Sequence, residues 1–513
     1  LRLSDGGRFD ARAPEHSVLT VAPVAAFGFL GDAPAPIMID GSFLTVPDGR
    51  TLSLIGGGST LTEAGGGGAG GGEGGGAGGS AGEVAPTATD LTLQGFGAMG
   101  TLTMTREPFG KTTLGDLDAS GESGGTIFIR GGRWVNQGSL TTSDVYGDQN
   151  EGTINIVVTG DVQFNDAVLR GYSVGKGKGV TIILDVSGRL ELNGASRIIT
   201  GALGAGDAGD INISARDLFV DGRDSEPLVG IGSQAERGST GAGGQIDIKV
   251  AETVLLQNGG VIGTGTYGAG RAGDLTLSAR NLFVDRQGSK YLTGIGSLVG
   301  PGATGDGGHA NVAIAETLIV QNGGEIGSST FGVGNAGTIT IFAGDLLIDG
   351  QEYQDFTGIG SVAGPGSSGA GGKVNLVVAD TLTLLNVGQI SASTRGSGPG
   401  GSITVTAGRA VNIIGSRQAV GDDFLSSGLF ISSFGPGRAG DHLTITTPHL
   451  LLADGGGIFA QSFETSGGNL IINADYLKVL DGGYISASEF GDPATQGGNV
   501  TLNSINIVVL NGG

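Results

Sequence analysis

Cysteine is absent from all 513 residues, so no disulfide can staple this fold and no thiolate can bind a metal. Histidine occurs four times and tryptophan once, and aromatic residues make up 5% of the chain. With so few large rings, a core must be narrow and lined by small aliphatic side chains. No run of 18 apolar residues exists, which excludes a bilayer-spanning helix. The longest apolar stretch, Val18 to Leu30, is broken by Thr20, Pro23 and Gly28. Positive charge is also scarce. The net charge of −22 argues against nucleic acid or an anionic membrane as partner, because both would repel it.

Glycine is what the chain has in excess. It fills 107 positions, about one residue in five and roughly three times ordinary usage. Its placement is periodic. Gly209-Asp-Ile-Asn-Ile213 returns as Gly273-Asp-Leu-Thr-Leu277, Gly337-Thr-Ile-Thr-Ile341 and Gly401-Ser-Ile-Thr-Val405, at steps of 64 residues. Ala251-Glu-Thr253, Ala315-Glu-Thr317 and Ala379-Asp-Thr381 keep the same spacing, as do Asn258-Gly-Gly260, Asn322-Gly-Gly324 and Asn386-Val-Gly388. A fixed period of this kind marks a stacked repeat architecture. Further Gly-x-apolar-x-apolar starts at Gly244, Gly308 and Gly372 divide each unit into a long coil of about 35 residues and a short one of about 29.

Inside a coil the apolar period is two. Asp210 to Ala215, Asp217 to Val220 and Val229 to Ser233 are three alternating segments separated by Gly, Asn or Asp. Three short strands per turn predict an all-β, right-handed parallel β-helix, a β-solenoid with coils of about 27–37 residues. The handedness rests on the crossover rule for parallel strands. The chain divides into 1–64, 65–83 rich in glycine, 84–123 as transitional coils, and 124–513 as the repetitive solenoid, with two-coil repeats at about 209–400. Residues 65–82 read as a loop outside the stack, with a packed polyglycine-type helix as the alternative. Both ends look cut from something longer.

One corner of the stack carries Asn193, Asp221, Asn258, Asp285, Asn322, Asp349 and Asn386, acid and amide alternating. Asn and Asp tolerate the left-handed conformation of a corner, and stacked amides can bond along the rod. A structural turn ladder is therefore expected, with a calcium site as the alternative. Carboxylates in such a column would lie about 9.6 Å apart, two coil steps.

The run Leu1 to Gly57 resembles the second half of the secretion domain of filamentous-haemagglutinin-like exoproteins of two-partner secretion systems. The matching pieces are Leu3-Ser-Asp-Gly6, Leu19-Thr-Val21, Phe27-Gly-Phe29, Ile37-Met-Ile-Asp-Gly41 and Val46 to Gly56. The downstream Gly-Gly-x-Ile-x-Ile and Asn-Gly-Gly…Ile-Ser-Ala-Ser coils look like the repeats that follow that domain, especially in cyanobacterial members. The resemblance implies export through an outer-membrane transporter and an extracellular or outer-surface location. The family's early Asn-Pro-Asn-Gly segment is not present here, so that route is implied only.

The search for chemistry finds little. Glycoside hydrolysis needs two carboxylates at a set separation, and acidic pairs occur all along such a rod. Asp422-Asp423 is the most suggestive pair but sits in an insertion, where adjacent acids are usually solvated. His16, His309, His442 and His449 are scattered and read as surface residues. No catalytic residue, cofactor or metal site is expected. The best candidate is a ridge: every second coil carries extra residues after the same corner. It brings together Arg223, Asp224 and Glu226, then Lys290 and Tyr291, then Glu352, Tyr353 and Asp355, then Arg417, Asp422 and Asp423. Loops on a rigid scaffold are where binding usually resides. The expectation is an adhesin-like, non-catalytic exoprotein whose partners are other cells, surface glycans or copies of itself. A self-assembling filament subunit is the alternative, and a polysaccharide-active enzyme comes behind both.

Overall fold

The computed structural model describes residues 2–3, 7–9, 14–18, 24–28, 37–40, 43–55, 83–86, 91–94, 99–109, 112–114, 116–149, 152–223, 229–351, 353, 355–418, 424–463, 466–490 and 496–513. Parallel strands stack in about 13 coils, a β-solenoid with essentially no helix. The one helical turn among the described residues is Pro14–His16, and no described helix is long and apolar enough to cross a membrane.

Each coil contributes one strand to each of three faces. On the first face Ile154, Ile182, Ile211, Ile246 and Leu275 lie level from coil to coil. On the second, Leu190, Leu218, Val254, Leu282 and Leu318 do so. The third face stacks Ile198, Ile231, Ile262, Ile295, Ile326, Ile359 and Ile390. All of these side chains point inward and are buried. Branched aliphatics suit this role because they fill a thin column with few rotamers to lose. Several coils turn the corner between the first two faces without glycine. In Ile211–Asp221 the in-out alternation slips once, so that Arg216 and Asp217 both face outward and the strand bends there.

The first coils hold the larger side chains. Trp134 is fully buried and meets Phe164 edge-on, with ring centroids 4.8 Å apart. Arg130, 2% exposed, donates to the carbonyls of Ile129 (3.0 Å) and Asn155 (2.8 Å). The rod extends downward through Thr51–Ile55, which pairs with Thr126–Gly131, and through Thr101–Thr105, which pairs with both Ile37–Asp40 and Arg133–Gln137. Two described strands between Ile55 and Thr101 lie outside the stack. Glu83–Pro86 and Leu91–Gln94 pair antiparallel with each other, and the sheet continues through Val24–Gly28 to Arg2–Leu3. Within 84–123, residues 84–86 and 91–94 thus belong to an antiparallel side sheet, whereas Thr101–Thr105 and Leu117–Asp118 pair parallel with the coils. The glycine-rich segment 65–82 lies outside the described residues.

Candidate binding groove

The Asp/Asn corner is staggered by one residue. Asp221 lies level with Gln257, and Asp285 with Gln257 and Gln321, so Asn258 and Asn322 sit one position further along. Asn258, Asn322 and Asn386 have φ of 50°, 51° and 49°, the left-handed turn expected of them. Their acidic counterparts do not turn that way. Asp221, Asp285 and Asp349 instead accept the amide N–H two residues on, each at 3.0 Å, and it is Arg223, Gln287 and Gln351 that take positive φ. Each amide then reaches across to the acid of the coil before it: Asn258 to Asp221 (3.0 Å), Asn322 to Asp285 (3.1 Å), Asn386 to Asp349 (2.9 Å). Gln257 and Gln321 donate to the second oxygens of Asp221 (3.1 Å) and Asp285 (2.7 Å). Both carboxylate oxygens at these two corners are occupied by N–H donors. Asn193 donates to Asn165 at 3.2 Å. Among the described residues no group of three or more His, Asp or Glu is placed to hold a metal ion.

The ridge loops follow this corner, and they are tied to one another. Arg286 donates to the carbonyls of Ser289 (2.7 Å) and Lys290 (2.9 Å), and its guanidinium meets the Tyr353 hydroxyl two coils away. Arg417, two coils further, donates to the carbonyls of Gln351 (2.9 Å) and Tyr353. Tyr353 and Arg417 therefore hold the loops together and are not free to present themselves to a ligand. The loop carrying Tyr353 also folds back on the short coil beneath it, where a side chain on Gly323 would collide with the Tyr353 ring. Lys290 lies over the Tyr291 ring at 4.8 Å, and Lys290, Asp355 and Arg223 are exposed. Arg223 pairs with Asp221 at 3.8 Å. Asp224, Glu226, Glu352, Asp422 and Asp423 lie outside the described residues.

What the ridge walls off is the outer surface of the third face. Two hollows, of about 510 and 1250 Å³, meet at Glu325, Gly327 and Ser329. Together they run from Tyr172 to Tyr484 and touch eleven consecutive strands of that face, a groove of about 48 Å at one coil step per strand. Over five coils its floor is glycine, with Gly232, Gly263, Gly296, Gly327 and Gly360 level in succession, and the column continues as Ser391, Phe430 and Phe459. Leu292 and Phe356 stand on the ridge side. Aromatic rings form the opposite wall. Phe331, Phe434 and Phe463 keep 39%, 47% and 41% of their surface exposed, and Phe434, Phe463 and Phe490 stack at 5.5 and 5.3 Å. Tyr267 and Phe331 lie over Gly300 and Gly364, where a side chain would strike the rings.

Five acids line this groove: Glu236, Glu325, Asp355, Asp454 and Asp481. Burial raises the carboxyl of Glu236. Glu325, on the floor between two ridge loops, is raised to about 7, chiefly by burial; Arg286 opposes the shift and Asp355 adds to it. Asp355 itself is exposed at the rim. The groove residues were missed in the sequence because glycine and isolated aromatics carry no motif. A signal existed: Tyr267, Phe331 and Arg395 are 64 residues apart, as are Gly232, Gly296 and Gly360.

Comparison of the chain with protein-family models, with curated proteins and with solved structures finds no match, so the groove and its ridge are what a functional reading rests on.

Proposed function

We propose that this chain is the shaft of a secreted, adhesin-like surface rod that holds a binding edge at a distance from the cell and performs no catalysis. One observation carries the reading. The insertions of alternate coils are pinned to each other by Arg286, Tyr353 and Arg417, and they build a continuous wall beside a groove that follows the rod axis. A stack of parallel coils is stiff and has one contiguous core, so a wall raised on it is preorganised for contact. The resemblance of residues 1–57 to the secretion domain of filamentous-haemagglutinin-like exoproteins supports export to the cell surface. Partners of this rod are other cells or surface glycans.

The test is electron microscopy of the full-length protein at its native surface, together with attachment of cells carrying or lacking it. Tethered single rods and loss of attachment on deletion are expected. Subunits repeating along a fibre would replace this reading with a filament. Release of reducing ends from polysaccharide by the purified chain, abolished by Glu325→Gln, would replace it with an enzyme.

A further inference from the structure

We infer that the groove on the third face binds a single extended, neutral polysaccharide chain lying parallel to the rod axis. The inference rests on the adhesin reading and names its ligand class. Three observations converge on it.

The first is a set of glycines that the fold does not require. At Gly296 an added Cβ would lie 1.7 Å from the Gly327 carbonyl oxygen, so packing between coils alone excludes a side chain there. Gly232, Gly265, Gly327 and Gly360 differ. An added Cβ would find its nearest neighbour at 3.5, 3.4, 3.4 and 3.4 Å, ordinary contact distances, and none of the four has a positive φ. Strands disfavour glycine, and alanine would fit at each site. Gly232, Gly327 and Gly360 share one column with Gly263 and Gly296, and leaving them bare keeps that column flat over five coils; Gly265 stands one column over, between Gln234 and Leu298. Space for a ligand accounts for that; packing does not.

The second is the wall. Partly exposed Tyr267, Phe331, Phe434 and Phe463 line one side at intervals set by the coil stack. The axial C–H faces of a pyranose ring stack on such rings, and its hydroxyls need scattered polar partners. Gln234, Ser329 and Gln389, all partly exposed, supply these along the groove. An extended hexose chain advances by nearly the same step as one coil, so in the two-coil repeat every second sugar meets equivalent surroundings, as at Tyr267 and Phe331.

The third is charge. The glycine floor is uncharged, and the groove lining carries five acids, Glu236, Glu325, Asp355, Asp454 and Asp481, against two bases, Arg197 and Arg395. With no basic stripe, a polyanionic chain gains nothing there. An extended peptide fits less well, because it binds a sheet by pairing with a free edge, and the floor's backbone groups already bond from coil to coil.

The experiment is affinity electrophoresis of the full chain through gels containing xyloglucan, galactomannan or alginate. The variants are Gly327→Val, Gly327→Ala and Phe331→Ala. At least one neutral polymer should retard the wild type, and Gly327→Val should weaken retardation tenfold or more with circular dichroism unchanged. Phe331→Ala should weaken it without filling the floor, which keeps the test valid if Gly327→Val fails to fold. No retardation in either neutral polymer, retardation by alginate alone, or retardation unchanged in both Gly327→Val and Phe331→Ala would overturn the inference. Capture of unfolded peptides on an array in place of glycans would overturn it too. Cell attachment that survives these results leaves the adhesin reading standing and removes only its ligand.

Discussion

Glu325 offers a test of the groove wall that does not depend on any ligand. Its carboxyl stands on the groove floor between the loop carrying Arg286 and the loop carrying Asp355 and Phe356, and is raised from an ordinary 4.5 to about 7. Between these two values the folded protein holds a proton that the unfolded chain has released. Rising pH therefore favours unfolding over that window, and stability levels off above it. The full shift corresponds to about 3 kcal/mol, and partial exposure of the site brings the expected loss to about 1–2 kcal/mol. Glu325→Gln removes the titration while keeping shape and hydrogen-bonding capacity, so the variant should be pH-independent here and more stable than wild type at pH 8. A solenoid opens locally, so the assay is amide hydrogen exchange of Gly324–Thr330 and Thr357–Gly360, corrected for intrinsic rates, at pH 5 and pH 8. Protection in the wild type should fall by about tenfold relative to the variant as pH rises. Identical pH dependence in the two proteins would show that the ridge loops do not desolvate this carboxyl.

Two further predictions concern the scaffold. Asn322 donates to Asp285 at 3.1 Å, so Asn322→Asp sets two carboxylates against each other; it should cost about 1–2 kcal/mol by thermal unfolding, more than Asn322→Ala, and high salt should recover part of the difference. Trp134 is fully buried against Phe164, and Trp134→Ala should cost about 3–5 kcal/mol. Hydrogen exchange should show that loss in Thr126–Gly131 while Gly457–Phe459, far up the stack, keeps its protection; uniform loss along the rod would refute nearest-neighbour coupling.

Much of the architecture is legible in the chain. A period of two, Gly-x-apolar-x-apolar starts and the 64-residue repeat are local facts, and each residue of a repeat meets the same residue of the next. That is why the starts at Gly209 and Gly273 are recognisable as equivalent strands, and Ile211 and Leu275 do stack in one buried column. The corner ladder was legible in its alternation but not in its stagger. Asp285 and Asn322 turn the chain by different means, an acid accepting from the backbone two residues on and an amide taking the left-handed turn itself, and sequence spacing does not distinguish the two.

The sequence by itself determined the stack, its two-coil rhythm and the edge on which the insertions emerge. Only the tertiary structure decided which surface those insertions border, that Tyr353 and Arg417 are spent on joining them, and that the glycines of the third face line a continuous groove. It also decided that Glu83–Pro86 and Leu91–Gln94 pair in a side sheet outside the stack. The physical reason is the range of the interactions. Stacking repeats locally and leaves a period in the chain, whereas the groove comes from side chains of coils one and two steps apart, whose meeting no spacing in the sequence records.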